Sequence, residues 1–139
     1  MNLRGILFFL GIYSFFVSIF AILNIVYSIY FQFYLGLNSY IFCSIISFSL
    51  GLFAYFFGKE EKKNITLYDQ VALILLSFIY LPLLVSIPYF FSSYGLSFLD
   101  SYFEAISGFT GTGFSIIENI NSIDKPLLIW RSSSQWIGG

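Results

Sequence analysis

Residues 5–58 contain no Asp, Glu, Lys or Arg: 54 consecutive uncharged positions in a chain of 139. Residues 70–99 form a second such run of 30. A bilayer core about 30 Å thick is crossed by about 20 apolar residues in a helix. The first run therefore has room for two crossings and a turn, and the second for one crossing and a short connection. A soluble domain carries about 25% charged residues, whereas this chain carries 9% and is 58% hydrophobic. Composition points to an all-α integral membrane protein and away from a free globule.

Turn residues divide the runs. The pattern predicts helices over residues 6–30, 40–57 and 66–90. Gly36, Leu37, Asn38 and Ser39 carry the turn after the first helix. Gly58 closes the second, and Asp69 lies in the first turn of the third. Pro82 is expected to kink the third helix, because proline removes a backbone donor, and Pro88 marks the approach to its end. The apolar run at the N-terminus is far longer than the roughly 7–15-residue core of a signal peptide, so the first helix reads as retained. Asn24 and Gln32 are expected to hydrogen-bond between helices.

Arg4 and the cluster Lys59, Lys62 and Lys63 flank the first hairpin on one side, while the loop at residues 35–39 is uncharged. Basic short loops mark the cytoplasmic side. The expectation is a multi-pass protein of the plasma or inner membrane with a cytoplasmic N-terminus. Residues 92–125 then fall at the outer face. They hold Asp100, Glu104, Glu118 and Asp124 against Lys125 alone, a bias that raises the local cation concentration.

Ser97-x-x-Asp100 and Ser101-x-x-Glu104 both fit a helix start in which a hydroxyl caps and an acid follows. They predict a short helix over residues 98–107, with Ser107-Gly108 as its stop. At 1.5 Å per residue it covers about 15 Å, half a bilayer. It suits a re-entrant dip from outside, tolerated at membrane depth only where buried in protein or lining water. The next stretch, Ser107-Gly108-Phe109-Thr110-Gly111-Thr112-Gly113-Phe114-Ser115, is too rich in Thr and Gly for a helix or an ordinary strand. Between membrane helices such backbone lines an ion path, its carbonyls replacing the water that a potassium ion must lose. Some of its residues need dihedrals that only Gly adopts cheaply. The candidate cation ligands are the backbone carbonyls of Thr110, Gly111, Thr112, Gly113 and Phe114. The short helix aims its partially negative C-terminus at the membrane centre. Residues 115–124 return to the outer face, and Pro126 suits the first turn of a further helix. The sequence ends about 14 residues into that helix, where a span needs about 20, so a longer chain is expected.

Arg131 is a charge inside this last helix, and such residues are usually paired or functional. Glu104 or Glu118 is its expected partner, with Glu104 and Arg131 as structural support for the loop; snorkelling to the headgroups is the other reading. Trp130 and Trp136 read as packing or interfacial aromatics, and Gly138 and Gly139 as sites of close helix packing. The Gly pattern could also be a phosphate loop, but it lacks the preceding strand and the Lys-Ser/Thr ending. There is no His, and Cys43 lies alone in a predicted span, so neither an enzyme nor a covalent cofactor is expected. A net charge of −1 without a basic stripe argues against a nucleic-acid partner.

These residues have a familiar order. Phe103-Glu104-Ala105-Ile106-Ser107-Gly108-Phe109-Thr110, then Thr112-Gly113, then Trp130-Arg131 and Gln135-Trp136-Ile137-Gly138-Gly139 resemble the first pore repeat of Trk/Ktr/HKT-type potassium transporters. Asp69 and Pro88 fit as well. The resemblance covers roughly residues 66–139; the first two helices carry no signature. It implies a division into residues 1–65, a two-helix hairpin with a cytoplasmic loop, and residues 66–139, a first pore repeat whose second transmembrane helix is truncated. It further implies four helix–loop–helix repeats in one chain, each giving one filter strand with one key glycine, here Gly113. Potassium is then the transported ion. Lipid, a cytosolic nucleotide-binding gating subunit and further copies of the full-length chain are the implied partners. Gly111 departs from the family pattern, which usually has Thr there and so one more hydroxyl.

The leading reading is potassium uptake, with this segment supplying one strand of a selectivity filter. One chain of this length gives at most a quarter of such a ring and is not expected to conduct alone. The alternatives are a non-conducting small membrane protein, either a remnant or an assembly subunit, and a homotetrameric channel subunit.

Overall fold

The computed structural model describes residues 2–61, 65–119 and 122–138. Among them are five helices and no strand: α1 (Leu3–Tyr30), α2 (Leu37–Gly58), α3 (Leu67–Phe90), α4 (Phe98–Phe109) and α5 (Lys125–Gly138). The first three are long and apolar enough to cross a membrane. The protein is an all-α membrane protein, as the charge-free runs require. Lys62, Lys63 and Gly139 lie outside the described residues.

Small side chains join α1 to α2. Gly11, Ser14, Ser18 and Ala21 are buried on α1, and Ser44, Ser47, Gly51, Ala54 and Gly58 on α2. Their spacing of three or four puts each set on one helix face. A Cβ on Gly11 would stand 2.8 Å from the Tyr55 nitrogen and 2.9 Å from the Gly51 oxygen, so the backbones touch. In lipid, such contact is the main source of helix association. Many of the larger apolar side chains of both helices, Phe16, Ile22, Phe53 and Phe56 among them, are exposed.

The turn into α2 is tighter than expected. Gly36 adopts φ 78 and caps the helix, which begins at Leu37, not at residue 40. One left-handed glycine makes the reversal, and Ser39 becomes a first-turn residue whose hydroxyl donates to the Gly36 oxygen at 2.6 Å. Gln32 does not bridge helices: it lies past the end of α1 at φ 57, exposed. Asn24 does, its Nδ2 donating to the Pro126 oxygen at 2.9 Å.

Thr66 caps α3 in a reciprocal box with Asp69. Asp69 also accepts from the Asn2 amide at 2.8 Å. The starts of α1 and α3 therefore meet at one end of the molecule, beside the end of α2, where Gly58 lies against Arg4. α3 is continuous through Pro82 and Pro88. Pro88 cannot donate to Leu84 one turn back; the Cys43 thiol takes that place, donating to the Leu84 oxygen at 3.5 Å.

α4 folds back along the second half of α3. The Phe98 ring meets Phe90 at 6.3 Å, and Phe109 meets Phe78 at 5.5 Å. Phe78 is midway along α3, so α4 descends to mid-height, about 18 Å at 1.5 Å per residue. The chain then climbs to Asp124, which is clasped by Tyr94. α5 descends in turn: the Trp130 Nε1 donates to the Val85 oxygen at 3.0 Å, and Gly138 packs on the Phe109 backbone, leaving no room for a Cβ. One apolar core, including Val17, Tyr40, Leu84, Ala105 and Trp130, draws on all five helices.

Candidate functional site

α4 starts where Ser97 and Asp100 form a capping box. The second candidate start, Ser101 with Glu104, is not a cap. The Ser101 hydroxyl donates to the Ser97 oxygen at 2.8 Å, and Glu104 lies inside the helix, wholly buried. The helix also passes through the expected stop at Ser107-Gly108 and ends at Phe109. Gly108 serves packing instead, since a Cβ there would approach the Ser134 hydroxyl to 2.6 Å. α4 and α5 can thus lie close enough for a side chain on one to reach a side chain on the other.

That approach brings Arg131 to Glu104. The guanidinium Nη1 stands 2.7 Å from the Glu104 Oε2, with the side chains 7% and 0% exposed. Of the two acids expected as partners, Glu104 is the one used; Glu118 is exposed. The remaining capacity of both groups goes to the loop. Glu104 Oε1 accepts from the Ser115 hydroxyl at 2.7 Å and from the Ile116 amide at 2.6 Å. Arg131 Nη1 also donates to the Ser115 hydroxyl oxygen, Oγ, at 2.9 Å. Its Nη2 donates to the carbonyls of Gly113 at 3.1 Å and Phe114 at 3.3 Å. A buried ion pair is tolerable when its spare lone pairs and protons are satisfied in this way.

Between α4 and this brace runs the Thr/Gly segment. Thr110 has φ −83, Gly111 φ 69 and Gly113 φ 76, while Thr112 is not among the residues with positive φ. The left-handed dihedrals of the two glycines, open to a residue without a Cβ, take the chain out of the helix that precedes it. The N–H groups of Gly111 and Gly113 return to the oxygens of Gly108 at 3.0 Å and Ser107 at 3.4 Å. The hydroxyls turn back to α4 as well: Thr110 Oγ1 donates to the Ile106 oxygen at 2.7 Å, and Thr112 Oγ1 to the Ser107 oxygen at 3.3 Å. The end of α4 is thereby capped by the loop that follows it. Among the described residues, the carbonyls of Thr110, Gly111 and Thr112 receive no hydrogen bond. These residues are exposed, as is Phe114, which does not wedge the loop against this part of the chain. A row of carbonyls with unused lone pairs can bind a cation.

From the sequence Ser107 was expected only as part of a helix stop, and Ser115 had no expected role. The Ser107 hydroxyl donates to the Phe114 oxygen at 2.6 Å and lies 3.1 Å from Thr112 Oγ1. Isolated serines give no periodic signal, so only the fold reveals these roles. The Tyr94–Asp124 clasp was likewise unmarked. Tyr94 donates to the Asp124 carboxylate at 2.9 Å and accepts from its amide at 2.7 Å. Removal from water, joined by the nearby carboxylate, raises the Tyr94 hydroxyl above its usual pKa.

Fold and site together define an all-α membrane protein in which a buried Glu–Arg pair braces an exposed Thr/Gly loop. The TrkH family of cation transport proteins matches residues 37–139, and the chain belongs to that family. The match takes in α2, which the motifs had left without a signature. An uncharacterized cation transporter of Methanocaldococcus jannaschii is 28% identical over 139 residues, 99% of this chain and 28% of that protein. The Trk system potassium uptake protein TrkG of Escherichia coli is 29% identical over 96 residues, 68% of this chain and 20% of that protein. TrkH of Halomonas elongata is 30% identical over 95 residues, with the same shares. The chain thus spans only 20–28% of the length of these relatives. No solved structure matches it.

Proposed function

We propose that this chain contributes to potassium uptake across the cell membrane, with residues 66–139 forming one pore repeat and residues 110–114 one strand of a selectivity filter. The observation that carries this reading is the loop from Thr110 to Gly113: the amides of Thr110, Gly111 and Gly113 turn back to α4, and the carbonyls of residues 110–112 are unengaged among the described residues. The brace behind it supports the reading: ion and pore wall need a loop that does not collapse when water is stripped away. The relatives named for potassium uptake supply the ion. α4 is the re-entrant helix, entering from the outer face, and the N-terminus lies in the cytoplasm. The hairpin α1–α2 is the scaffold against which the repeat packs. A cytosolic nucleotide-binding subunit and further copies of the full-length chain are the proposed partners.

Gly113→Ser in the full-length protein tests this. A side chain at φ 76 is strained, and the strand must shift to relieve it. The expected result, in proteoliposomes with paired potassium and sodium gradients, is a lower preference for potassium over sodium. Unchanged selectivity in protein made at normal levels removes residues 110–114 from the filter.

A further inference from the structure

The five carbonyls of residues 110–114 are not equivalent. Those of Thr110, Gly111 and Thr112 receive no hydrogen bond among the described residues, whereas the last two are engaged. Phe114 O accepts from the Ser107 hydroxyl at 2.6 Å and from Arg131 Nη2 at 3.3 Å, using both lone pairs. Gly113 O accepts from the same nitrogen at 3.1 Å. A guanidinium already occupies the place where a cation would meet these oxygens. The guanidinium repels a second cation brought against the same oxygens, so an ion that displaced neither partner would be excluded from this end of the strand. Glu104, 2.7 Å from Arg131, neutralises the guanidinium toward the rest of the loop, so the exclusion is local.

We propose that Arg131 and Ser107 are positioning residues that withhold the Gly113 and Phe114 carbonyls from the ion, confining this strand's ligands to the carbonyls of Thr110, Gly111 and Thr112. This rests on residues 110–114 being a filter strand. Gly113 then matters for its dihedral, which delivers its carbonyl to Arg131, and not as a ligand. Selectivity follows from the division. A site with too many available oxygens no longer forces the ion to match a fixed set, and releasing Phe114 O supplies one more.

The test uses the full-length protein in rubidium, whose anomalous scattering locates the ion, together with the potassium-to-sodium permeability ratio of Ser107→Ala, Ser107→Thr and Arg131→Lys. Rubidium is expected beside the carbonyls of residues 110–112 and absent from those of Gly113 and Phe114. Ser107→Ala is expected to shift the permeability ratio about three- to tenfold, the scale of one net hydrogen bond, and Ser107→Thr to restore it. A purely structural role would lower protein yield and leave the ratio alone, so Ser107→Ala decides the matter even where Arg131→Lys fails to fold. Rubidium bound by Gly113 or Phe114, or a ratio indifferent to Ser107→Ala while Gly113→Ser still alters it, overturns the division and leaves the filter reading standing. Rubidium at none of the five carbonyls, with selectivity indifferent to Gly113→Ser, removes both.

Discussion

The α1–α2 seam and the α4–α5 seam solve the same problem with opposite chemistry. Both bring two helices into backbone contact through glycines, Gly11, Gly51 and Gly58 in one, Gly108 and Gly138 in the other. The first seam is sealed by close packing and one serine hydrogen bond across it, from Ser18 to the Ser44 oxygen at 3.1 Å. The second holds a buried ion pair whose oxygens and nitrogens reach across to the loop. A packed seam has one optimum and resists change everywhere along it. A charged seam depends on two residues and is intolerant of losing either. The protein places the second kind beside the loop whose carbonyls at residues 110–112 receive no hydrogen bond among the described residues.

Removing one charge should therefore have the largest effect of any single substitution. Glu104→Ala leaves Arg131 buried and unpaired and deprives Ser115 and Ile116 of their acceptor; loss of a buried partner costs about 3–5 kcal/mol. The expected outcome is little folded protein and a strongly lowered unfolding midpoint in detergent. The double variant Glu104→Leu with Arg131→Met should recover most of that stability, because an apolar pair leaves no stranded charge, yet should not recover transport, because the loop has lost its brace. If the double variant transports with normal selectivity, the ion pair is packing and nothing more.

The packed seam is next. Gly58→Leu would drive a side chain into the Arg4 carbonyl and the Phe8 backbone. Overpacking of a tight contact costs about 1–3 kcal/mol, and the midpoint should fall accordingly while the selectivity of the surviving protein holds. A change in selectivity here would show that the hairpin reaches the loop, for which Asn24, donating to the Pro126 oxygen at 2.9 Å, is the available route.

Gly111→Thr is expected to cost less, and its sign separates two views of the loop. Resemblance alone treats Gly111 as a missing hydroxyl, so threonine there should strengthen the site. The backbone says otherwise: φ is 69, and a left-handed conformation costs a residue with a Cβ about 1–2 kcal/mol. No atom lies within 4 Å of the Cβ position, so the penalty is conformational. A modestly lowered midpoint and weaker potassium preference are expected; a gain in both would mean that the loop relaxes to accept threonine.

The same position shows what could be read from sequence. Three long helices follow from absence of charge, a signal summed over tens of residues; their bounds erred by three residues at the start of α1, where Asn2 caps the helix ahead of Arg4, and at the start of α2, where one left-handed glycine replaced a four-residue turn at 36–39. Short-range chemistry was legible where the two partners stand three apart, as at Ser97 with Asp100, whereas at the start of α3 only the first-turn place of Asp69 was read and its box with Thr66 came from the structure. Ser101 with Glu104 has the same spacing and failed, because Ser97 already starts the helix and Glu104 is claimed by Arg131 from another element. Pairing of Arg131 with one of two acids was readable from the cost of a charge in a span. Which acid, and the donation to Gly113 and Phe114, depend on Gly108 letting α5 close on α4, and a lone glycine reads equally well as a helix stop.

The smallest expected effect joins Cys43 to Pro88 on the α2–α3 contact. Pro88 leaves the Leu84 carbonyl without its helical donor, and the Cys43 thiol supplies one at 3.5 Å, with Ser47 Oγ 3.9 Å from the sulfur. A thiol is a weak donor, so Cys43→Ala should cost about 1 kcal/mol or less from the hydrogen bond. Pro88→Ala restores an N–H to that position in the helix. In this background the thiol has nothing left to satisfy, and Cys43→Ala should then cost only its packing. A double-mutant cycle on unfolding midpoints reads the difference as a coupling term, expected at about 0.5 kcal/mol or somewhat more for groups in one hydrogen-bond network. Zero coupling would mean that the Leu84 oxygen finds another donor when the thiol is gone. That would place this contact with the packed seam, where no single polar group matters, and would leave the Glu104–Arg131 pair as the part of the molecule that rests on individual partners.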